Sequence, residues 1–244
     1  VTALHMKTDI LAFGVHPDDV ELGCGGTLIK EVKRGKKVAV VDLTRGELGS
    51  NGTPELRLEE AEAAAAIMGV HDRMNLHMED GWFEINQQNK RKVIQAIRHY
   101  KPEIVICNAI SDRHPDHGRS SQLVSEACFL AGLSRIETEM NGQEQEKWRP
   151  KAVYHYIQAY HHEPDVVVNI TEEFEQKMEA VLAYRSQFHV ANDIKQENTY
   201  IASPEFLEYV KGRNSHFAAP IGRRYAEGFN VERYVGCESL LDLV

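Results

Sequence analysis

Short apolar runs alternate with amphipathic stretches along this chain. Asp9–Val15 (DILAFGV) reads as a buried strand, and Leu22–Arg34 carries the spacing of a helix. Lys37–Leu43 (KVAVVDL) predicts a second strand, followed by a Gly/Ser/Asn loop at Thr44–Gly52. Thr53-Pro54-Glu55 then opens a helix that runs through alanines to Gly69: a hydroxyl that caps, a proline that suits the first turn, an acid at the positive end. Arg73–His77 predicts a weak strand, Lys90–Tyr100 a helix, Glu103–Asn108 (EIVICN) the clearest buried strand, and Ser120–Ala131 another helix. Ala152–Ala159 and Asp165–Ile170 predict later strands, and Thr171–Arg185 a capped helix. Leu133–Arg149 is polar enough to be a surface excursion, and the stretch from Ala191 onward is less regular, as a border or lid over a site would be.

Strands alternating with helices imply right-handed crossovers and a mainly parallel α/β sheet flanked by helices. With 244 residues, no repeat and no linker, the chain reads as a single domain over residues 7–244, with Val1–His5 ahead of Met6 read as a remnant or an extended start. No apolar run reaches the roughly 18 residues of a membrane helix, and the first residues lack the pattern of a signal peptide. A formal net charge of -9 disfavours nucleic acid as a partner while leaving room for a small anion held by one or two arginines. Cys24, Cys107, Cys128 and Cys237 form no CxxC pair and sit in apolar stretches, so they predict buried, reduced thiols of a cytoplasmic protein.

Sheets of this kind bind ligands beyond the carboxyl ends of their strands. The two densest polar clusters fall there. His16-Pro17-Asp18-Asp19 follows the first strand, and Asp112-Arg113-His114-Pro115-Asp116-His117-Gly118 follows Glu103–Asn108. Two histidines and a carboxylate make a catalytic zinc set that leaves a position for a nucleophilic water. Spacing favours His16, Asp19 and His117 as the ligands: residues three apart come together where a chain turns into a helix, and His117 leads into one. Asp18 is then free to serve as general base, His114 as general acid or stabiliser of developing charge, and Asp116 to orient an imidazole from behind. One His-x-x-Asp or His-x-x-His is weak evidence; two, each with proline and each beyond a strand, are strong. The same triad type binds iron(II) in oxygenases, but the βαβ pattern and the spare carboxylate Asp18 favour a hydrolase. A pure binding module leaves Asp18 and His114 unexplained.

Gly23-Cys24-Gly25-Gly26 lacks both the GxGxxG pattern and the lysine of a phosphate loop, and predicts close packing of the first helix instead. Arg57, at the start of the helix after the Gly/Ser/Asn loop, and Arg113, inside the second cluster, are candidates to face the pocket, as is His189 after Tyr184-Arg185-Ser186-Gln187-Phe188.

These residues resemble the zinc-dependent N-deacetylases of the PIG-L/LmbE type. The similarity runs through DILAFGVHPDDVELGCGGTL, DLTRGELGSNGT, DRHPDHG, YRSQF and RYAEGF, and so covers nearly the whole chain after Met6. Within that family it is nearest the bacillithiol-pathway enzymes, which release acetate from N-acetylglucosaminyl-malate. Chitobiose-type and inositol-linked amino sugars are the alternative substrates. The resemblance implies a Rossmann-like fold, Zn2+ on His16, Asp19 and His117, Asp18 as base and His114 as its acidic or electrostatic partner. It also implies Arg57 and Arg113 against the malate carboxylates, Tyr200 near the reacting carbonyl, and a trimer or hexamer.

Overall fold

The computed structural model describes residues 7–188, 197 and 199–243. Strand β1 (Ile10–Gly14) is buried at every position and leads within five residues into α1 (Asp19–Lys33). β2 (Val38–Thr44) is equally buried, as strands covered on both faces must be. Helix α2 (Pro54–Met68) has the predicted cap: Thr53 Oγ1 accepts the Leu56 N–H at 3.2 Å, and Gly69 closes the other end in a left-handed conformation. β3 (Asp72–Met78) precedes α3 (Gln87–Tyr100), which is capped by Asn86, and β4 (Ile104–Cys107) precedes α4 (Pro115–Ala131). The polar stretch around residue 140 forms a two-strand antiparallel ribbon, β5 (Glu139–Met140) and β6 (Gln143–Glu144). There follow β7 (Ala152–Tyr156), β8 (Val166–Asn169), α5 (Phe174–Leu182), α6 (Pro204–Ala218) and β9 (Ala226–Val231).

The main sheet has the order β3-β2-β1-β4-β7-β9-β8. The run from β3 to β7 is parallel; β9 lies antiparallel between β7 and β8. The expected mainly parallel α/β architecture is therefore present. Its strand order reverses between β1 and β4, and the crevice at that switch point is where such sheets hold ligands. One face packs against α1, α2 and α5, the other against α3 and α4, each with its own apolar core.

The glycines of α1 serve packing. A Cβ at Gly23 would stand 2.2 Å from the Tyr156 ring, and one at Gly26 would run into Ile170. This closeness lets Glu227 of β9 accept the backbone N–H groups of Gly26 (2.9 Å) and Thr27 (2.7 Å), while its charge is met by fully buried Lys177 at 2.6 Å.

Three expectations change. Both site-bearing helices begin earlier than the apolar spacing suggests, α1 at Asp19 and α4 at Pro115, because their first turns are polar and face the site. The irregular C-terminal region contains a helix and a strand inserted between β7 and β8; the AEGFNV sequence of β9 carries a glycine and a buried glutamate that mask its strand character. Cys24, Cys107 and Cys128 are buried free thiols, but Cys237 is exposed, because the chain beyond β9 runs over the surface. No helix among the described residues is long and apolar enough to cross a membrane.

Candidate active site

The crevice at the switch point is built from the β1–α1 and β4–α4 turns. Asp19 is the first residue of α1, and its side chain folds back over the turn. Asp19 Oδ2 accepts the backbone N–H groups of Val15 (3.1 Å) and His16 (3.0 Å) and the Asn108 amide (3.1 Å). Asp19 Oδ1 accepts the Gln158 amide at 2.8 Å. The same carboxylate faces both imidazoles, with His117 Nε2 at 3.2 Å from Oδ1 and His16 Nδ1 at 3.6 Å from Oδ2.

The far nitrogen of each imidazole rests on another carboxylate. His16 Nε2 lies 2.9 Å from Asp80 Oδ1, and His117 Nδ1 lies 2.6 Å from Asp112 Oδ2. Such partners fix ring orientation and tautomer in metal centres. Asp116 does not make this contact: it lies 4.0 Å from His16 Nε2, and its oxygens are taken by the Gly81 N–H and Arg119. It ties the loop after β3 to α4, and so holds Asp80 in place.

The carboxylates of the crevice set the charge of its imidazoles. Burial works against charge on His16, yet its bonds to Asp19 and Asp80 prevail and raise its pKa to about 10. For His117 burial again opposes charge, and Asp19 and Asp112 prevail, raising it to about 9. Burial also opposes the charge of Asp19, but the two imidazoles hold it well below the usual carboxylate range. The carboxylates thus outweigh the imidazoles, and a second group of possible ligands, His16 with Asp80 and Asp116, has its atoms within 4.8 Å of one another. Ring nitrogens of His16, His114 and His117 also lie within 4.8 Å of one another. This donor set of imidazole nitrogen and carboxylate oxygen suits zinc.

Asp18, the N-cap of α1, has φ of 129°, a conformation non-glycine residues rarely adopt, and the surroundings must stabilise it. Arg57 supplies that support. It is buried, and its Nη2 donates to Asp18 Oδ2 at 2.9 Å and to the Pro17 carbonyl. Gly46 lies against the guanidinium, where a Cβ would come within 2.6 Å of Nη1. Burial raises the Asp18 pKa to about 7, with Arg57 pulling the other way. Arg57, expected from the sequence to meet a substrate carboxylate, here meets a protein carboxylate through Nη2, while its buried Nε has no partner among the described residues.

His114 caps α4, its Nδ1 accepting the Asp116 N–H at 3.3 Å, which leaves its proton on Nε2. Burial and the neighbouring His16 and His117 lower its pKa, favouring the neutral ring.

Two adjoining hollows open on these groups. The first, about 340 Å³, is lined by His16, Asp18, Asp19, Arg57 and Asp80. The second, about 430 Å³, lies toward α6 and shares Arg113, His114, His117, Gln158 and Tyr200 with the first. Arg113 is exposed and sits 4.8 Å from the centre of the Tyr200 ring. His189 lies outside the described residues.

Sequence reasoning missed Asp80, Asn108 and Gln158, and passed over Asp112 as part of its cluster. Asp80 had a signal, an acid before glycine just beyond the β3 end. Asn108 and Gln158 had only their positions at the ends of apolar runs.

The chain thus joins a Rossmann-like α/β sheet to a candidate His/Asp metal centre at its switch point. The family profile described as PIG-L: GlcNAc-PI de-N-acetylase matches residues 11–128. The conserved protein TT1542 from Thermus thermophilus is 35% identical at a TM-score of 0.84, over 96% of this chain and 98% of that one. The chain is 29% identical to the diacetylchitobiose deacetylase of Thermococcus kodakarensis, over 90% of this chain and 81% of the relative. It is also 29% identical to a probable N-acetyl-alpha-D-glucosaminyl L-malate deacetylase 2 of Bacillus cereus, over 75% of this chain and 84% of the relative. The chain belongs to the PIG-L family and is a deacetylase, a hydrolase of amide bonds.

Proposed function

We propose that this deacetylase uses zinc on His16, Asp19 and His117 to remove the acetyl group from an N-acetylglucosaminyl conjugate in the cytoplasm, with the malate conjugate as substrate. The reading is carried by one observation: two imidazoles converge on the Asp19 carboxylate, each with its far nitrogen on another carboxylate.

Bound zinc would supply Lewis acidity toward a water molecule and the acetyl carbonyl. The chain's own groups do the rest. Asp18, held by Arg57 and shifted toward neutral pH, takes a proton as the water oxygen attacks the acetyl carbon. His114 presents its Nε2 proton to the carbonyl oxygen as negative charge gathers there. The C–N bond then breaks, and the proton held on Asp18 is available to the leaving nitrogen. The products are acetate and a free amine. Gln158 and Asn108 keep the Asp19 carboxylate from turning away. Arg113 and Tyr200, on the wall between the hollows, stand where an aglycone would pass.

The test is amine release from N-acetylglucosaminyl-malate after dialysis against a chelator and again after zinc is restored. Activity lost and regained is expected. No release by the zinc-loaded protein would overturn the reading, and so would undiminished zinc in each of His16→Ala, Asp19→Ala and His117→Ala.

A further inference from the structure

His155 lies outside both hollows and takes no part in the reaction described above, yet it is buried and bonded through both ring nitrogens. It sits on β7 opposite Cys107 of β4. Its Nδ1 reaches the Asn108 carbonyl at 3.1 Å, the Ser121 hydroxyl at 2.9 Å and Cys107 Sγ at 3.4 Å. Its Nε2 lies 3.0 Å from Oε1 of Glu232, the residue that follows β9. A carbonyl oxygen and an ionised carboxylate can only accept, so a ring that serves both carries a proton on each nitrogen. The geometry therefore describes an imidazolium. Burial opposes that charge, and Cys107, Glu232 and the Asn108 carbonyl prevail, raising its pKa to about 11. Burial likewise pushes the Glu232 carboxyl up, and its bonds to His155 and Ser125 prevail and hold it below the usual range. Besides Cys107, the titratable or charged groups near the pair are Cys128 on α4 and, in the surface hollow that Glu232 lines, Lys90, Glu126, Arg149, Lys151 and Arg233.

Asn108 is the residue this ion pair grips. It is fully buried; its amide oxygen accepts the Ser120 hydroxyl at 3.0 Å, and its amide nitrogen donates to Asp19 Oδ2 at 3.1 Å. The hydroxyl decides which end of the amide faces Asp19. A run of hydrogen bonds thus leads from Glu232, an exposed residue, to the carboxylate on which the two imidazoles of the crevice converge.

We infer that His155 and Glu232 are positioning residues of the metal centre: the buried ring pins the Asn108 main chain, Asn108 keeps the Asp19 carboxylate in line, and Glu232 secures the ring from outside the crevice. This rests on the reading of Asp19 as a zinc ligand. A neutral ring has one proton for two acceptors. With that proton on Nδ1, Glu232 is released. With it on Nε2, a lone pair faces the Asn108 carbonyl, the Ser121 hydroxyl can turn to donate to the ring, and Asn108 loses its donor. Removing Glu232 removes a group that favours the charged form and so lowers the pKa of the ring. The grip on Asn108 then depends on pH: it is complete while the ring is charged and weakens as pH rises through the lowered pKa.

The test follows the ring nitrogens of His155 by NMR in protein carrying isotope-labelled histidine, its signals being those absent from His155→Gln. In the wild type both nitrogens should stay protonated over roughly pH 6–9, where an ordinary histidine loses its charge. In Glu232→Ala the ring should lose a proton inside that window; Glu232 is exposed, so this variant leaves the core packing intact. Zinc affinity is then read by chelator competition, always as the ratio of variant to wild type at one pH. For Glu232→Ala the ratio should be near one at the acid end and about tenfold weaker at the alkaline end, the lower range for loss of support behind a metal ligand. A contact that served folding alone would weaken binding equally at every pH. The Asn108 side-chain amide gives a reading without metal: at roughly pH 8 its hydrogens should exchange with solvent faster in metal-free Glu232→Ala than in the metal-free wild type. Faster exchange in a protein that bound no zinc would support the grip of His155 on Asn108 while the zinc reading alone failed. A neutral wild-type ring near pH 7, an affinity loss that is the same at every pH, or zinc affinity and amide exchange both unchanged in Glu232→Ala would overturn the proposal.

Discussion

The two hollows of the crevice contrast in how their polar groups are occupied. In the metal-facing hollow almost every charged atom already has a protein partner. Asp19 takes four donors, the far nitrogens of His16 and His117 sit on carboxylates, and Arg57 clasps Asp18. In the hollow under α6, among the described residues, Arg113 and Arg213 have no carboxylate within 4.0 Å, and aromatic rings form much of the wall. Groups that must be aligned before the reaction are bound beforehand, since preorganised dipoles need no rearrangement at the moment of reaction. The relatives reported above are both named as deacetylases, one for diacetylchitobiose and one, as probable, for a malate conjugate.

Changes on the metal side should act on all substrates alike, and the strongest are at the ligands. Asp19→Ala or His16→Ala should abolish both bound zinc, measured by metal analysis of the purified protein, and turnover. Asp18→Asn comes next. It should retain zinc while kcat falls by about 10²- to 10⁴-fold, the range for loss of a general base; normal turnover with zinc bound would remove Asp18 from the reaction. Asp112→Asn and Asp80→Asn each weaken an imidazole's support and should lower zinc affinity by about ten- to a hundredfold in a chelator competition. An unchanged affinity would reduce those carboxylates to scaffolding. The smallest effect belongs to Arg57→Gln. Burial has brought Asp18 up to about 7, and Arg57 opposes that rise. Because the base must be deprotonated, activity falls on the acid side, and a bound cation would draw that limb to or below pH 7. Removing Arg57 should move the limb upward by about one pH unit, equally for neutral and anionic substrates. A selective loss on anionic substrates would instead return Arg57 to the aglycone.

The chain announces some of this plainly. Buried parallel strands are continuous apolar runs, so β1, β2 and β4 stand out, and the clusters after β1 and β4 reveal the position of the site. The starts of α1 and α4 are hidden because Asp19 and His117 occupy first-turn positions that an apolar face would ordinarily fill. Asp80 and Gln158 are invisible as site residues because their partners lie 64 and 139 positions away, and only the sheet order brings them together. Arg57 shows the opposite limit. Its place at the end of the sheet is readable, but whether it faces a substrate or Asp18 depends on the glycines of the loop before it, which let the guanidinium lie flat against the backbone. For β9, an antiparallel strand among parallel ones leaves no mark of its orientation in the residues.

That strand has a consequence for how the molecule is made. Synthesis delivers β7 and β8 well before β9, yet neither pairs with the other; both pair with β9. Until Ala226–Val231 emerges from the ribosome, β7 offers an open hydrogen-bonding edge and β8 has no neighbour in the sheet. Such an edge is a template for unwanted pairing with other chains. The buried Lys177 is likewise without its glutamate until then, since Glu227 lies on the same late strand. The segment that carries β9 therefore acts as a keystone: the nascent protein must keep β7 and β8 apart from its neighbours until that strand slides between them.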